Sequence, residues 1–121
     1  MVPPRSILDF FEGQDNFIIA THMNPDGDGL GSAIALSLAL RKIRKKTILV
    51  CKDKIPQQYK FLPGQEEFCL LKEGIDKELD HNGFKNLVLI DCNDIDRLVD
   101  KKQDSLFSFL SSLFSVVIDH H

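Results

Sequence analysis

Apolar residues gather into four short runs along the chain, Phe17–Thr21, Thr47–Cys51, Leu87–Ile90 and Val116–Ile118. The runs are continuous rather than alternating with polar residues, so each predicts a strand buried on both faces, as in a parallel sheet. Helical patterning fills the stretches between them. Ser6 to Glu12 predicts a short lead-in helix. Leu30 to Ile43 is apolar on nearly every side, through Leu30, Ala33, Ile34, Leu36, Leu38 and Leu40, and predicts a well-buried helix. Short helices are expected over Gln57–Leu62 and Ile75–Leu79, interrupted by Pro63-Gly64, and an amphipathic one over Ser105–Leu113. The order β-α-β-α-β-α-β predicts an α/β fold with a mostly parallel sheet flanked by helices. No internal repeat, linker or low-complexity tract divides the sequence. His121 follows the fourth predicted strand directly, with no helix to cover it. Parallel sheets normally have both faces covered, so an incomplete domain ending at the fourth strand is expected.

The polar residues of interest stand at the carboxyl ends of these runs, where open α/β sheets bind ligands. The first run ends in Thr21-His22 and continues as Asn24-Pro25-Asp26-Gly27-Asp28. The third ends in Asp91, and the fourth in Asp119-His120-His121. Neighbouring parallel strands lie about 5 Å apart. If these three adjoin, their tips gather at least three carboxylates and two imidazoles in one small volume. Like charges so close are unfavourable unless compensated, and a divalent cation removes the difficulty. Mixed carboxylate and imidazole ligands suit manganese, iron or zinc, whereas an all-oxygen shell would suit magnesium or calcium. The absence of thiolate ligands argues against a structural zinc site.

Asp91 would stand between the two histidine-bearing strands, with two oxygens able to bridge a pair of metals. Two metals about 3.5–4 Å apart lower the pKa of a bridging water and clamp both oxygens of an in-line phosphoryl displacement. Pro25-Asp26-Gly27 is turn chemistry. Asp28, Gly29 and Ser32 lie where the next helix begins, and its free N–H groups favour a phosphate. Arg97 is close enough in sequence to Asp91 to swing back and grip that phosphate bidentately; a surface ion pair is an equal alternative.

Each segment alone has an ordinary explanation. The run from Asn24 to Gly29 resembles the start of a calcium loop, but the glutamate due at its twelfth position is Ala35 and the segment follows a strand. A plain turn with solvated aspartates is the stronger ordinary explanation of this motif alone. Asp91 alone could be a helix cap or loop residue, and the final histidines a cloning tail. Only the coincidence of all three at strand ends favours a shared site. His81, in Asp80-His81-Asn82-Gly83, reads as a surface turn. The basic run from Arg41 to Lys46 reads as the dipole-favoured end of a helix whose other end is at the site, about 20 Å away.

Composition adds bounds. With 121 residues the chain makes one modest domain, and its 43% hydrophobic and 27% charged residues are ordinary for a globular protein. A net charge of −3 exerts no long-range pull on nucleic acid or anionic lipid. Three scattered cysteines, Cys51, Cys69 and Cys92, make neither a disulfide framework nor a CxxC pair, which fits a reducing cytoplasm. The N-terminus lacks a signal-peptide layout, and no apolar run reaches the roughly 18 residues of a membrane span.

Three segments together resemble the DHH phosphoesterase family: His22-Met-Asn-Pro-Asp26-Gly-Asp28-Gly-Leu-Gly-Ser32, then Leu89-Ile-Asp91-Cys-Asn-Asp94 with Arg97, then Val117-Ile-Asp119-His120-His121. They occur in the family's order at suitable spacing. The resemblance implies that His22, Asp26 and Asp91 bind one metal and that Asp28, Asp91 and His120 bind another, usually manganese, with magnesium or another divalent cation as alternatives. It further implies that Asp119 supports the strand end or these ligands and that His121 faces the substrate phosphate; Asn24 is expected to support the ligands, and Ser32 and Arg97 to lie beside that phosphate. The expected reaction is hydrolysis of phosphate esters by a metal-bound hydroxide.

The long first motif is similar to that of the oligoribonuclease and 3′-phosphoadenosine-5′-phosphate phosphatase branch, whose substrates are short oligonucleotides and nucleoside bisphosphates. It looks less like that of the single-strand DNA exonucleases. Pyrophosphatases and exopolyphosphatase-related members share a similar motif and stay in play, as does a metal- or nucleotide-binding module without turnover. Neither a membrane nor long-duplex nucleic acid is an expected partner, and the full-length protein has a homodimer as a possible state. Family members also carry a downstream aspartate motif, which completes the second metal site, and a second substrate-binding domain. Residues 1–121 contain neither, so the expectation is the N-terminal part of such a protein, weak or inactive by itself.

Overall fold

The computed structural model describes residues 5–21, 27–52, 54–55, 57–61, 63–64, 67–72, 74–92, 95–99 and 104–118. Helix α1 (Arg5–Gly13) leads into β1 (Phe17–Thr21). Then come α2 (Gly27–Lys42), β2 (Thr47–Cys51), β3 (Cys69–Leu70), α3 (Ile75–His81), β4 (Asn86–Ile90), α4 (Asp104–Ser111) and β5 (Phe114–Ile118). The five strands form one sheet in the order β3-β2-β1-β4-β5, and every pairing is parallel.

The unbroken apolar runs end up where a parallel sheet needs them. Every residue of β1 and β4, the central pair, is buried. Alternate residues serve opposite faces. Phe17, Ile19, Leu49, Val88 and Ile90 meet Ala33, Ile34 and Leu40 of α2, with Phe10 and Phe11 of α1 packed alongside. The rings of Phe10, Phe11 and Phe17 stand 5.4–5.6 Å apart. On the other face, Ile18, Ala20, Val50, Leu87 and Leu89 meet Leu79 of α3 and Leu106 and Leu110 of α4. β5 is the less covered edge, with Phe114 and Val117 exposed.

Several expectations need correction. The sheet has five strands, so the last one is the fifth; β3 is only two residues long, too short for its pattern to stand out. The helix expected over Gln57–Leu62 is a single 3-10 turn, Gln57–Tyr59. Pro63 disfavours helical backbone in the residue before it. α2 is not buried all round. Leu30, Ala33, Ile34, Ser37 and Leu40 face the sheet, while Leu38 is exposed, because a helix lying on a sheet buries one stripe only.

Candidate metal centre

Strand order fixes where a ligand belongs. From β1 the chain steps outward to β2 and β3, then returns to place β4 on the other side of β1 with β5 beyond it. The direction reverses between β1 and β4, and the crevice at the carboxyl ends of strands at such a switch point is the usual ligand site of open α/β sheets. Thr21 pairs with Ile90, and Ile90 with Ile118, so the last residues of β1, β4 and β5 form one row. In sequence, the residues that follow this row are His22, Asp91 and Asp119. The three strands that the sequence left conditionally adjacent are therefore neighbours, with β4 in the middle.

Asp91 is the best defined residue of the site. It is 3% exposed, an unusual position for a carboxylate, since buried Asp normally needs compensating donors or a cation. Its φ of 56° lies in the left-handed region, which Asp and Asn enter more readily than other L-residues. Backbone of this kind is concentrated at ligand sites. The Asp91 N–H donates to Ile118 O at 2.9 Å, tying the tips of β4 and β5 together. Just beyond, Ile95–Arg97 forms a 3-10 turn, anchored by the buried Leu98 and Val99. Arg97 thus closes a turn that begins four residues after Asp91.

On the other side of the switch point, α2 begins at Gly27, so Asp28 lies in its first turn. Gly29 and Leu30 are buried, and Ser32 is exposed. A helix of 16 residues, about 24 Å long, presents its unpaired N–H groups at this end. His22, Asn24, Asp26, Asp119, His120 and His121 lie outside the described residues, and for Asp28 and Arg97 only the backbone is described. Among the described residues no three His, Cys, Asp or Glu side chains come together to hold a metal.

Sequence reasoning passed over Thr21 as merely the last residue of β1. It is fully buried, and its Oγ1 has no hydrogen-bond partner among the described residues. The available signal was a polar residue closing an otherwise apolar strand, directly before His22. A buried carboxylate and an unsatisfied hydroxyl at one sheet edge, beside a sequence rich in His and Asp, fit a hard or borderline divalent cation.

The opposite edge is structural. Arg41 donates to both oxygens of Glu67, at 3.0 and 3.2 Å, and to Thr47 Oγ1, and Lys45 Nζ donates to Glu12 O. Oδ1 of Asp15 accepts N–H bonds from Lys46 and Asn16, both at 2.7 Å, and these hold its carboxyl below the usual range. His81 is exposed at the end of α3. No helix among the described residues is long and apolar enough to cross a membrane.

The chain is similar to known proteins. The chain is 42% identical over 50 residues to the bifunctional oligoribonuclease and PAP phosphatase NrnA of Thermus thermophilus, a match covering 41% of this chain and 15% of that protein. The crystal structure of an exopolyphosphatase-related protein from Bacteroides fragilis superposes with a TM-score of 0.79 at 27% identity, covering 97% of this chain and 34% of that one. The chain thus spans about a third of its structural neighbour, and a smaller part of the curated relative is matched. The model of the DHH family's N-terminal domain matches residues 16–121, from just before β1 onward, and on that match the chain belongs to the DHH family.

Proposed function

We propose that the protein carrying these residues is a divalent-metal-dependent phosphoesterase, using manganese to hydrolyse phosphate esters of short oligonucleotides or nucleoside bisphosphates. The observation that carries this is Asp91, a buried carboxylate in left-handed backbone at the tip of β4, beside the switch point. His22, Asp26 and Asp91 hold one cation, and Asp28, Asp91 and His120 the other. Such a pair supplies an activated water and stabilises charge on the phosphoryl group.

The remaining groups bind and orient the substrate. N–H groups at the start of α2, with Ser32, take phosphate oxygens. His121 and Arg97 neutralise the charge that develops there. Asp119 and Asn24 steady the ligands. The downstream aspartate motif and the second domain of the parent protein complete the second cation site and the substrate pocket. Three cysteines without a disulfide support a cytoplasmic setting.

The Thermus relative's two named activities support the nucleotide substrates. The name of the Bacteroides neighbour favours a second reading, hydrolysis of polyphosphate or pyrophosphate. The test is release of phosphate or mononucleotide by the full protein with manganese, from 3′-phosphoadenosine 5′-phosphate, a dinucleotide and polyphosphate in parallel. Supporting groups around metal ligands are typically worth 10–100-fold, so Asp91→Asn, a direct ligand, should lose more than about 100-fold. Undiminished turnover by that variant would refute the role of Asp91. Release from polyphosphate alone would favour the second reading, and manganese binding without any release would leave a binding module.

A further inference from the structure

We propose that Thr21 is a positioning residue of the metal centre, its hydroxyl hydrogen-bonding an oxygen atom of the coordination sphere. This rests on the metal-dependent reading above. Thr21 is fully buried, and its Oγ1 makes no hydrogen bond among the described residues. A buried hydroxyl with no partner is unfavourable, and native proteins seldom keep one unless a water, ion or ligand completes it. Val or Ile would pack this position as well as Thr packs it, and β1 is otherwise Phe-Ile-Ile-Ala, so packing alone does not call for an oxygen.

Position decides what the partner is. Thr21 shares the alternation of Phe17 and Ile19, which pack on α2, so its side chain lies on the α2 face. It lies at the carboxyl edge, paired with the Ile90 that immediately precedes Asp91 and followed by the proposed ligand His22. Asn86 is the instructive contrast. Its Oδ1 also lacks a partner, but it stands at the start of β4, and its Nδ2 already donates to Asp15 O at 2.7 Å. The Thr21 side chain has one polar atom, and nothing among the described residues satisfies it. A hydroxyl both donates and accepts, so it can donate to a ligand carboxylate or to a water held by the cation, fixing the orientation of either.

The experiment is Mn2+ binding to the full protein, by calorimetry and by loss of the free-ion electron paramagnetic resonance signal, for the wild type, Thr21→Val, Thr21→Ser and Asp91→Asn. Groups that orient metal ligands typically contribute 10–100-fold to affinity. Thr21→Val should therefore raise the Mn2+ Kd about 10–100-fold without lowering the metal-free melting temperature, since Val keeps the shape and removes the unsatisfied oxygen. Thr21→Ser retains the hydroxyl and should bind within about threefold of wild type, well short of that loss. A Val variant that binds Mn2+ as tightly as wild type, while Asp91→Asn does not, overturns the role of Thr21 alone. Wild-type protein that binds no Mn2+ overturns the metal reading itself, and an Asp91→Asn variant that binds it normally overturns this edge of the sheet as the metal site, and the role of Thr21 with it.

Discussion

The left-handed backbone at Asp91 makes a prediction that separates conformation from chemistry. Asp91→Gly and Asp91→Ala both remove the carboxylate, so they differ chiefly in the backbone preference of the new residue. Inside ordinary strands or helices Gly is less stable than Ala by roughly 0.5–1 kcal/mol. At a φ of 56° the Cβ of Ala meets a penalty of about 1–2 kcal/mol that Gly escapes. The order should therefore invert, with Gly above Ala by about 1 kcal/mol after its entropy is subtracted. For a domain of this size that is about 4 °C in melting temperature.

The assay is thermal unfolding followed by circular dichroism, first with EDTA. Manganese is then added at about 100 times its Kd, which should stabilise the wild type by about 2.7 kcal/mol, or about 10 °C. Both variants should gain much less. If Ala melts above Gly in EDTA, the backbone at residue 91 is not left-handed in solution. If either variant gains as much from manganese as the wild type, Asp91 is not a ligand.

Two further outcomes follow from parts of the fold away from the site. Gly64 has a φ of 89°, and a Cβ there would stand 3.1 Å from Ile34 Cγ2, so Gly64→Ala should lower stability by about 1–3 kcal/mol, read from a urea melt. The N–H groups of Lys46 and Asn16 hold the Asp15 carboxyl below its usual range, so its contribution is complete above the unfolded-state pKa of about 3.9 and is lost as pH falls through the lower folded-state value. Asp15→Asn should therefore lower stability in the neutral region, leave it nearly unchanged towards pH 2, and so flatten the acid limb of a stability-versus-pH curve, which urea melts from pH 2 to 7 would read.

The parts of this fold legible in the sequence are those buried on both faces. β1 and β2 fall where their apolar runs predict, because central parallel strands tolerate almost nothing polar. β4 begins one residue earlier than its run, at Asn86, where Nδ2 donates to Asp15 O and so offsets part of the cost of burying a polar side chain. β5 begins two residues earlier than predicted, at Phe114, because its outward positions are exposed and Ser115 is acceptable there. β3 was invisible because two residues carry no period.

At the site, the acidic and histidine residues at strand ends stood out, but their adjacency did not, because strand order depends on long-range pairing. The orphaned Thr21 hydroxyl was equally hidden, since a missing partner is a property of the packed structure. Asp91's left-handed backbone had no turn signature around it, as neither Gly nor Asn-Gly flanks the position.

The strand order also has a consequence for how the chain reaches this state. β1 has β2 as its early neighbour, but its other neighbour, β4, arrives much later; the Asn86–Asp15 bond beside that pairing closes a separation of 71 residues. Closing so long a loop is entropically demanding and slows folding relative to local contacts. During synthesis β1 therefore waits with one apolar edge open until β4 emerges, a period in which mispairing with another nascent chain competes with correct assembly. The crevice between β1 and β4 cannot exist before that step. Variants that slow β4 docking would then lower the yield of folded protein from cells even where the finished molecule is as stable as before.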